Sequence, residues 1–140
     1  MKTKRLKFLP LKLENKENYL EVNINNKLSL VEQIRSYLDD LKAQNISTIN
    51  LKNKSSIADY FVIATCRSSR HANATADEII KKLKKIGVKC PIPSGKPKCD
   101  WVIVDTGSIL IHLFRSEIRE IYNLEKLWEI NFDKEENINA

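Results

Sequence analysis

Two histidines and three cysteines are the side chains of this sequence with most capacity for catalysis or metal binding: Cys66, His71, Cys90, Cys99 and His112. A thiol, an imidazole and a carboxylate such as Asp105 are the groups of a hydrolase triad, but no Gly-x-Ser-x-Gly or similar motif marks a nucleophile turn. Zinc sites are typically marked by Cys-x-x-Cys or His-x-x-x-His pairs, and this sequence contains neither. We therefore predict no catalytic residues and no metal ligands, a hydrogen-bonded structural His112, and a buried Cys66.

Three other segments contain parts of phosphate- or nucleotide-binding motifs. The Ser-Ser-Arg-His run at residues 68–71 begins a predicted helix, whose free backbone N–H groups suit an anion, although a plain Ser cap explains the same residues. Residues 94–96, Ser-Gly-Lys, lack the upstream glycine of a phosphate-binding loop. A metal-dependent nucleotidyltransferase needs paired metal-binding carboxylates, and no Asp-x-Asp follows Gly107 and Ser108. That enzyme class stays as an alternative function, and no cofactor is predicted.

Length and charge indicate an ordinary folded domain. The chain has 140 residues, 30% charged and 42% hydrophobic, which suits one domain with its own core. No apolar run approaches the roughly 20 residues of a membrane helix, and the odd number of widely spaced cysteines favours a reducing cytoplasm. Residues 67–98 carry nine basic and two acidic groups, whereas residues 99–140 carry four and nine. The C-terminal region therefore suits a basic protein better than nucleic acid, while the middle segment could touch RNA.

The hydrophobic pattern predicts alternating helices and strands. Ser29 and Glu32 form a capping box for a first helix, and a second helix beginning at Ser68 or Ser69 ends before Gly87. Two short C-terminal helices follow, with Ser116 and Asn123 as their caps. Strands are predicted at residues 19–25, 46–51, 59–66, 101–105 and 109–114.

These elements indicate a single α/β domain with a mixed sheet of about five strands flanked by helices. The domain is predicted over residues 29–130, after an N-terminal extension of low order at 1–28 and before a polar tail at 131–140. A loop at residues 88–100 contains three prolines and one glycine, which leaves room for one short edge strand.

The strand pair near the C-terminus has apolar side chains on both faces. If Thr106 and Gly107 form a two-residue turn, Asp105 pairs with Ser108 and Trp101 with His112. One face is then wholly aliphatic and belongs to the core. The other face mixes large apolar groups with polar ones: Trp101, Ile103, Asp105, Leu110, His112 and Phe114. Either residues 122–128 fold back over this second face as another core layer, or the face stays open to a partner.

Three segments contain, in order, the motifs of one known family: DYFVIATCRSSRHANATADEIIKKLK at 59–84, WVIVDTGSILIHLF at 101–114 and REIYNLEKLW at 119–128. From about residue 30 to residue 128, the sequence closely resembles the ribosomal silencing factor (Iojap-like) family. It departs from the family pattern at Cys66 and Arg67, where Gly-Thr is usual, and at Ser108, where an aspartate is usual. Residues 1–28 have no family counterpart in this resemblance.

The resemblance implies a five-stranded mixed sheet related in shape to nucleotidyltransferases, but no enzymatic activity. It also implies binding to the large ribosomal subunit through its fourteenth protein, at the intersubunit face, which blocks joining of the small subunit and represses translation when nutrients are scarce. Family members in bacteria and organelles are linked to large-subunit maturation, and free members often form homodimers.

With this resemblance, the second face of the strand pair is expected to be a partly exposed partner-binding surface anchored by aromatic residues. The predicted partner-binding residues are Trp101, Asp105, Thr106, His112, Phe114, Arg119 and Tyr122. A basic partner would pair with Asp105, Glu117 and Glu120. We expect a cytoplasmic protein with some rRNA contact and no DNA or membrane partner. A dimeric scaffold is a further alternative.

Overall fold

The computed structural model describes residues 29–96, 98 and 100–128. The predicted N-terminal extension, the strand at 19–25 and the polar tail lie outside these residues. The helices are α1 (29–40), α2 (Ser69–Lys85), α3 (Ser116–Tyr122) and α4 (124–128). The strands are β1 (Gln44–Asn50), β2 (Tyr60–Cys66), β3 (Trp101–Asp105) and β4 (Ile109–Arg115). Within the described part of the chain, no helix is long and apolar enough to cross a membrane.

Local sequence signals explain the limits of α2. The Ser68 hydroxyl accepts the His71 N–H at 3.0 Å, so this serine is a plain helix cap, and Gly87 follows the helix with a φ of 89°. The cap predicted for α1 is wrong, because Ser29 is already helical. The Ser116 cap is also wrong by one position, since Arg115 takes the cap site without a side-chain hydrogen bond.

The four strands form one mixed sheet in the order β1-β2-β4-β3. The central strands β2 and β4 are parallel and are joined by a crossover that contains α2. At the two edges of the sheet, β1 pairs antiparallel with β2 and β3 pairs antiparallel with β4. All seven residues of β2 are buried, as in a central strand covered on both faces. The predicted mixed α/β domain is therefore confirmed, with four strands among the described residues where about five were expected. Its relation to nucleotidyltransferases stays a prediction.

The short edge strand predicted in the loop before β3 is a single bridge. Ser94 and Ile103 exchange two backbone hydrogen bonds, of 3.1 and 3.0 Å. Pro91 and Pro93 have no N–H to donate, and Gly95 has a φ of 102°, so the pairing does not extend on either side.

The sheet separates two apolar layers. Helices α1 and α2 cover the first face, where Val62 of β2 clusters with Ile34 and Ile79. The second face carries a smaller buried cluster: Leu51, Ala58, Phe61, Ile63 and Phe114. Side chains of α3 and α4, the closing helices, pack against that cluster: Ile118, Leu124 and Trp128. The C-terminal segment therefore forms a second core layer over part of this face.

The β3–β4 hairpin differs from its predicted register by two residues. Trp101 pairs with Phe114 and Asp105 with Leu110, where a two-residue turn predicted His112 and Ser108. The connection is longer because the Thr106 N–H and hydroxyl both donate to the Ile109 carbonyl, each at 3.0 Å. Side chains alternate along a strand with a period of two, so a shift of two residues leaves each residue on its predicted face.

Candidate partner-binding face

The second face of the sheet carries a cluster of aromatic rings centred on Trp101. Its indole stacks on Phe114, the opposite residue in the register, with the ring centroids 4.9 Å apart. The ring of Tyr122, from α3, lies 4.8 Å from the indole between centroids. The indole N–H donates to Nδ1 of His112 at 3.0 Å. Trp101 is thus held by three groups while it stays partly exposed.

His112 lies inside this cluster and is 3% exposed. The Phe61 ring meets it edge to face, with the centroids 4.5 Å apart. Because Nδ1 accepts the indole hydrogen, Nε2 carries the imidazole hydrogen, and burial lowers the pKa of His112 to about 4. The predicted hydrogen-bonded structural histidine is confirmed. Its Nε2 is buried without a hydrogen-bond partner in the part of the chain that the structure describes.

The seven predicted partner-binding residues differ widely in solvent exposure. Phe114 is 1% exposed, so together with His112 it forms the floor of the face and offers no surface of its own. Trp101 and Thr106 are half-buried, while Asp105 is exposed beside the β3–β4 turn. Tyr122 is 52% exposed despite its contact with the indole. The closing helices therefore bury the middle of the face and leave aromatic groups at its edge.

Arg119, also among the predicted partner-binding residues, is occupied within the chain. Its guanidinium donates two hydrogen bonds to Glu125, of 2.9 and 3.2 Å. It also donates to the Asn45 carbonyl at 2.6 Å and to the Thr65 hydroxyl at 2.8 Å. The Ser47 hydroxyl closes the network with a 3.0 Å bond to Glu125. Arg119 thus ties α3 and α4 to β1 and β2.

Helices α3 and α4 expose large apolar side chains among polar ones. Among the described residues, five large hydrophobic side chains are exposed, and three of them lie within residues 121–127. Ile121 is 72% exposed and Leu127 is 50% exposed. With Tyr122 and the exposed edge of Trp101 they constitute what we call the C-terminal apolar patch. A concentration of this kind on a small domain is typical of a binding surface.

Acidic groups accompany the patch, but one of them is engaged. Glu117 forms an ion pair with one terminal nitrogen of the Arg115 guanidinium. The other terminal nitrogen lies 3.0 Å from Oδ1 of Asp100. Asp105 and Glu120 are exposed. The Asp105 carboxylate accepts the Gly107 N–H at 2.8 Å, which fixes it at the β3–β4 turn, at the opposite end of β3 from Trp101. Asp105 and Glu120 are thus the carboxylates best presented to a basic partner.

The groups of a hydrolase triad are not assembled. Cys66 is buried with the core on the first face, and His71 donates from Nε2 to the Leu41 carbonyl at 2.7 Å, whereas His112 belongs to the second face. Burial raises the pKa of the Cys66 thiol to about 11, the opposite of what a nucleophile needs. In residues 29–96, 98 and 100–128, no three His, Cys, Asp or Glu side chains are placed to hold a metal ion.

The sequence did not predict the hydrogen-bond network of Arg119, which we call the Arg119 clamp, or two residues of the patch, Ile121 and Leu127. Apart from Glu125, which is six positions away on α4, the partners of Arg119 lie 54 to 74 positions away, a separation at which no local pattern operates. Ile121 was detectable, since Ile118, Ile121 and Tyr122 follow the helical spacing of one apolar stripe.

Fold and site together define a small α/β domain that presents an aromatic, apolar face. A family model described as "Ribosomal silencing factor during starvation" matches residues 24–140 of the chain. The chain belongs to this ribosomal silencing factor family.

Individual relatives agree with this assignment. A ribosomal silencing factor of Zymomonas mobilis is 46% identical over 99 residues, which is 71% of this chain and 74% of the relative. A mouse protein named "Mitochondrial assembly of ribosomal large subunit protein 1" is 37% identical over 109 residues, which is 74% of this chain and 47% of the mouse protein. The crystal structure of a Chromobacterium violaceum protein matches with a TM-score of 0.68 and 27% identity, covering 72% of this chain and 85% of that one.

Proposed function

We propose that this protein binds the large ribosomal subunit through the subunit's fourteenth protein, at the intersubunit face, and so prevents the small subunit from joining. Translation would then be repressed when nutrients are limiting, in the cytoplasm and without any catalytic step. The family and the mouse relative's name, which refers to assembly of the ribosomal large subunit, support a ribosomal partner.

The observation that carries the proposal is the C-terminal apolar patch. Trp101 and Tyr122 are in ring contact and both keep exposed surface, so they can insert between side chains of a partner. Aromatic anchors of this kind often contribute about 2 kcal/mol or more each to binding. Phe114, His112 and Arg119 would support this surface from inside the domain without touching the partner. Their side chains are buried or engaged within the chain.

Charge indicates the chemistry of the partner. Glu120 on α3, next to Ile121, and Asp105 at the turn that ends β3 are exposed carboxylates, and Thr106 belongs to the same turn. Carboxylates around an apolar centre favour a partner surface that contains Lys or Arg and disfavour bare phosphate. The lysines on the outer side of α2 lie across the sheet from the patch and suit a secondary rRNA contact: Lys81, Lys82, Lys84 and Lys85.

Sedimentation with isolated ribosomal subunits tests the proposal. The protein should co-sediment with large subunits and not with small subunits, and it should inhibit formation of joined ribosomes from the two. Absence of co-sedimentation with large subunits at low salt would contradict the proposal. Covering of the patch by a second copy, in a homodimer of the free protein, is checked by measuring the molar mass in solution before and after large subunits are added.

Inhibition of joining is tested with a matched pair of tyrosine variants. Tyr122→Ala removes an exposed ring of the patch, whereas Tyr37→Ala removes a ring from α1 on the opposite side of the sheet. Tyr122→Ala should abolish most of the inhibition, and Tyr37→Ala should retain it. Equal inhibition by both variants would exclude the patch as the binding surface.

A further inference from the structure

We propose that His112 is a positioning residue that fixes the Trp101 indole, so that the partner meets only the apolar, electron-rich ring of this side chain. The inference rests on the proposed function for its effect on the partner. Its structural part, the hydrogen bond that orients the indole, is testable in the free protein.

The hydrogen bond between Trp101 and His112 is held in place by the side chains around it. The indole N–H of Trp101 donates to Nδ1 of His112 at 3.0 Å, across a pair of antiparallel strands whose register sets Ile103, and not Trp101, opposite His112. The bond is therefore diagonal and depends on the rotamers of both side chains. Phe61 holds the imidazole from one side at 4.5 Å, and burial keeps water from the acceptor nitrogen.

The orientation of the Trp101 indole depends on this acceptor, because the side chain is only half-buried and has room to turn. Without an acceptor, the indole N–H would be left without a hydrogen bond, and the ring could regain one by turning its N–H toward water. Such a turn would disrupt the stacking on Phe114 at 4.9 Å and the contact with Tyr122 at 4.8 Å. His112 therefore couples the core of the domain to the shape of the C-terminal apolar patch.

The arrangement also limits what a partner can use. The single donor of the indole is committed to His112, and an indole has no acceptor. The exposed part of Trp101 thus offers ring surface alone, which suits an aliphatic side chain or a cation over the ring face.

Nitrogen NMR of the unmodified, ¹⁵N-labelled protein is the direct test. The ¹⁵N shifts of His112 should show a proton on Nε2 and none on Nδ1, and a scalar coupling should connect Nδ1 to the Trp101 indole nitrogen across the hydrogen bond. Trp128→Phe assigns the two indole signals, since Trp101 and Trp128 are the only tryptophans. A proton on Nδ1, or no coupling, would overturn the proposal without reference to any ribosome measurement.

Two substitutions separate positioning from packing. His112→Phe keeps a ring among the same neighbours and removes the acceptor, whereas His112→Asn keeps an acceptor oxygen close to the place of Nδ1. In His112→Phe the Trp101 indole N–H should exchange with solvent about tenfold faster or more, and the affinity for large subunits should fall by roughly fivefold or more. His112→Asn should restore slow exchange and most of the affinity.

A double substitution checks the route of the effect. If His112 acts through the indole, His112→Phe should add less than about a twofold loss of affinity in a Trp101→Ala background. A full additional loss there, or unchanged indole exchange in His112→Phe, would contradict the positioning role. If no variant and no wild-type protein binds large subunits, the proposed function fails while the NMR result still decides the hydrogen bond.

Discussion

Stability should fall on mild acidification because of one buried imidazole. Burial lowers the pKa of His112 from 6.5 to about 4, and the side chain is 3% exposed, so the folded chain excludes a proton that the unfolded chain accepts. Stability therefore decreases as the pH drops from about 6.5 toward 4 and is unaffected by this group above that range. At about 1.4 kcal/mol per pKa unit, the loss is roughly 2 kcal/mol near pH 5 and approaches about 3 kcal/mol near pH 4.

Urea unfolding at a series of pH values measures this loss. Wild type is compared with His112→Phe, which has no group to titrate at this position but keeps the same carboxylates. Between about pH 7 and pH 5 the free energy of unfolding should fall by roughly 2 kcal/mol more in wild type than in the variant. Parallel curves for the two proteins would refute the buried, neutral imidazole on which this account of the aromatic cluster depends.

Three further substitutions or reagents probe other parts of the structure. Gly95→Ala should destabilise the protein by about 1–3 kcal/mol in urea unfolding, because its Cβ would lie 2.0 Å from the Trp101 carbonyl at a φ of 102°; unchanged stability would contradict that contact. Arg119→Ala should accelerate amide hydrogen exchange across residues 116–128 by about tenfold or more, because α3 and α4 lose their bonds to β1 and β2; exchange as slow as in wild type would show that the clamp is dispensable. A thiol reagent should modify Cys90 well before Cys66, a residue that is 1% exposed and whose thiol has a pKa of about 11; peptide mapping by mass spectrometry measures both rates, and faster reaction of Cys66 would be inconsistent with its burial.

Much of the fold could be predicted because local signals dominate it. The run from residue 60 to residue 66 is apolar or β-branched throughout, as a strand buried on both faces requires, and Ser68 and Gly87 bound α2 by ordinary capping chemistry. The face of each residue in the β3–β4 hairpin was also predictable, since the period of two survives the error of two residues in the register.

The errors have physical causes of another kind. The turn at Thr106 was predicted as two residues, but its hydroxyl and N–H bond to the Ile109 carbonyl and lengthen the connection. Arg119 carried no local signal for its contacts with the sheet, because its acceptors other than Glu125 come from strands far back in the chain. Whether Phe114 lay at a surface depended on how α3 and α4 return over the sheet, and that return rests on long-range contacts such as those of Arg119 with Asn45 and Thr65.

The central claim is that the C-terminal apolar patch binds the large ribosomal subunit. The most direct test is the equilibrium affinity of the Tyr122→Ala and Tyr37→Ala variants for isolated large subunits, with the free energy of unfolding measured for each. We predict at least about a tenfold loss of affinity for Tyr122→Ala and less than about a twofold change for Tyr37→Ala. Wild-type affinity in a folded Tyr122→Ala variant would contradict the claim.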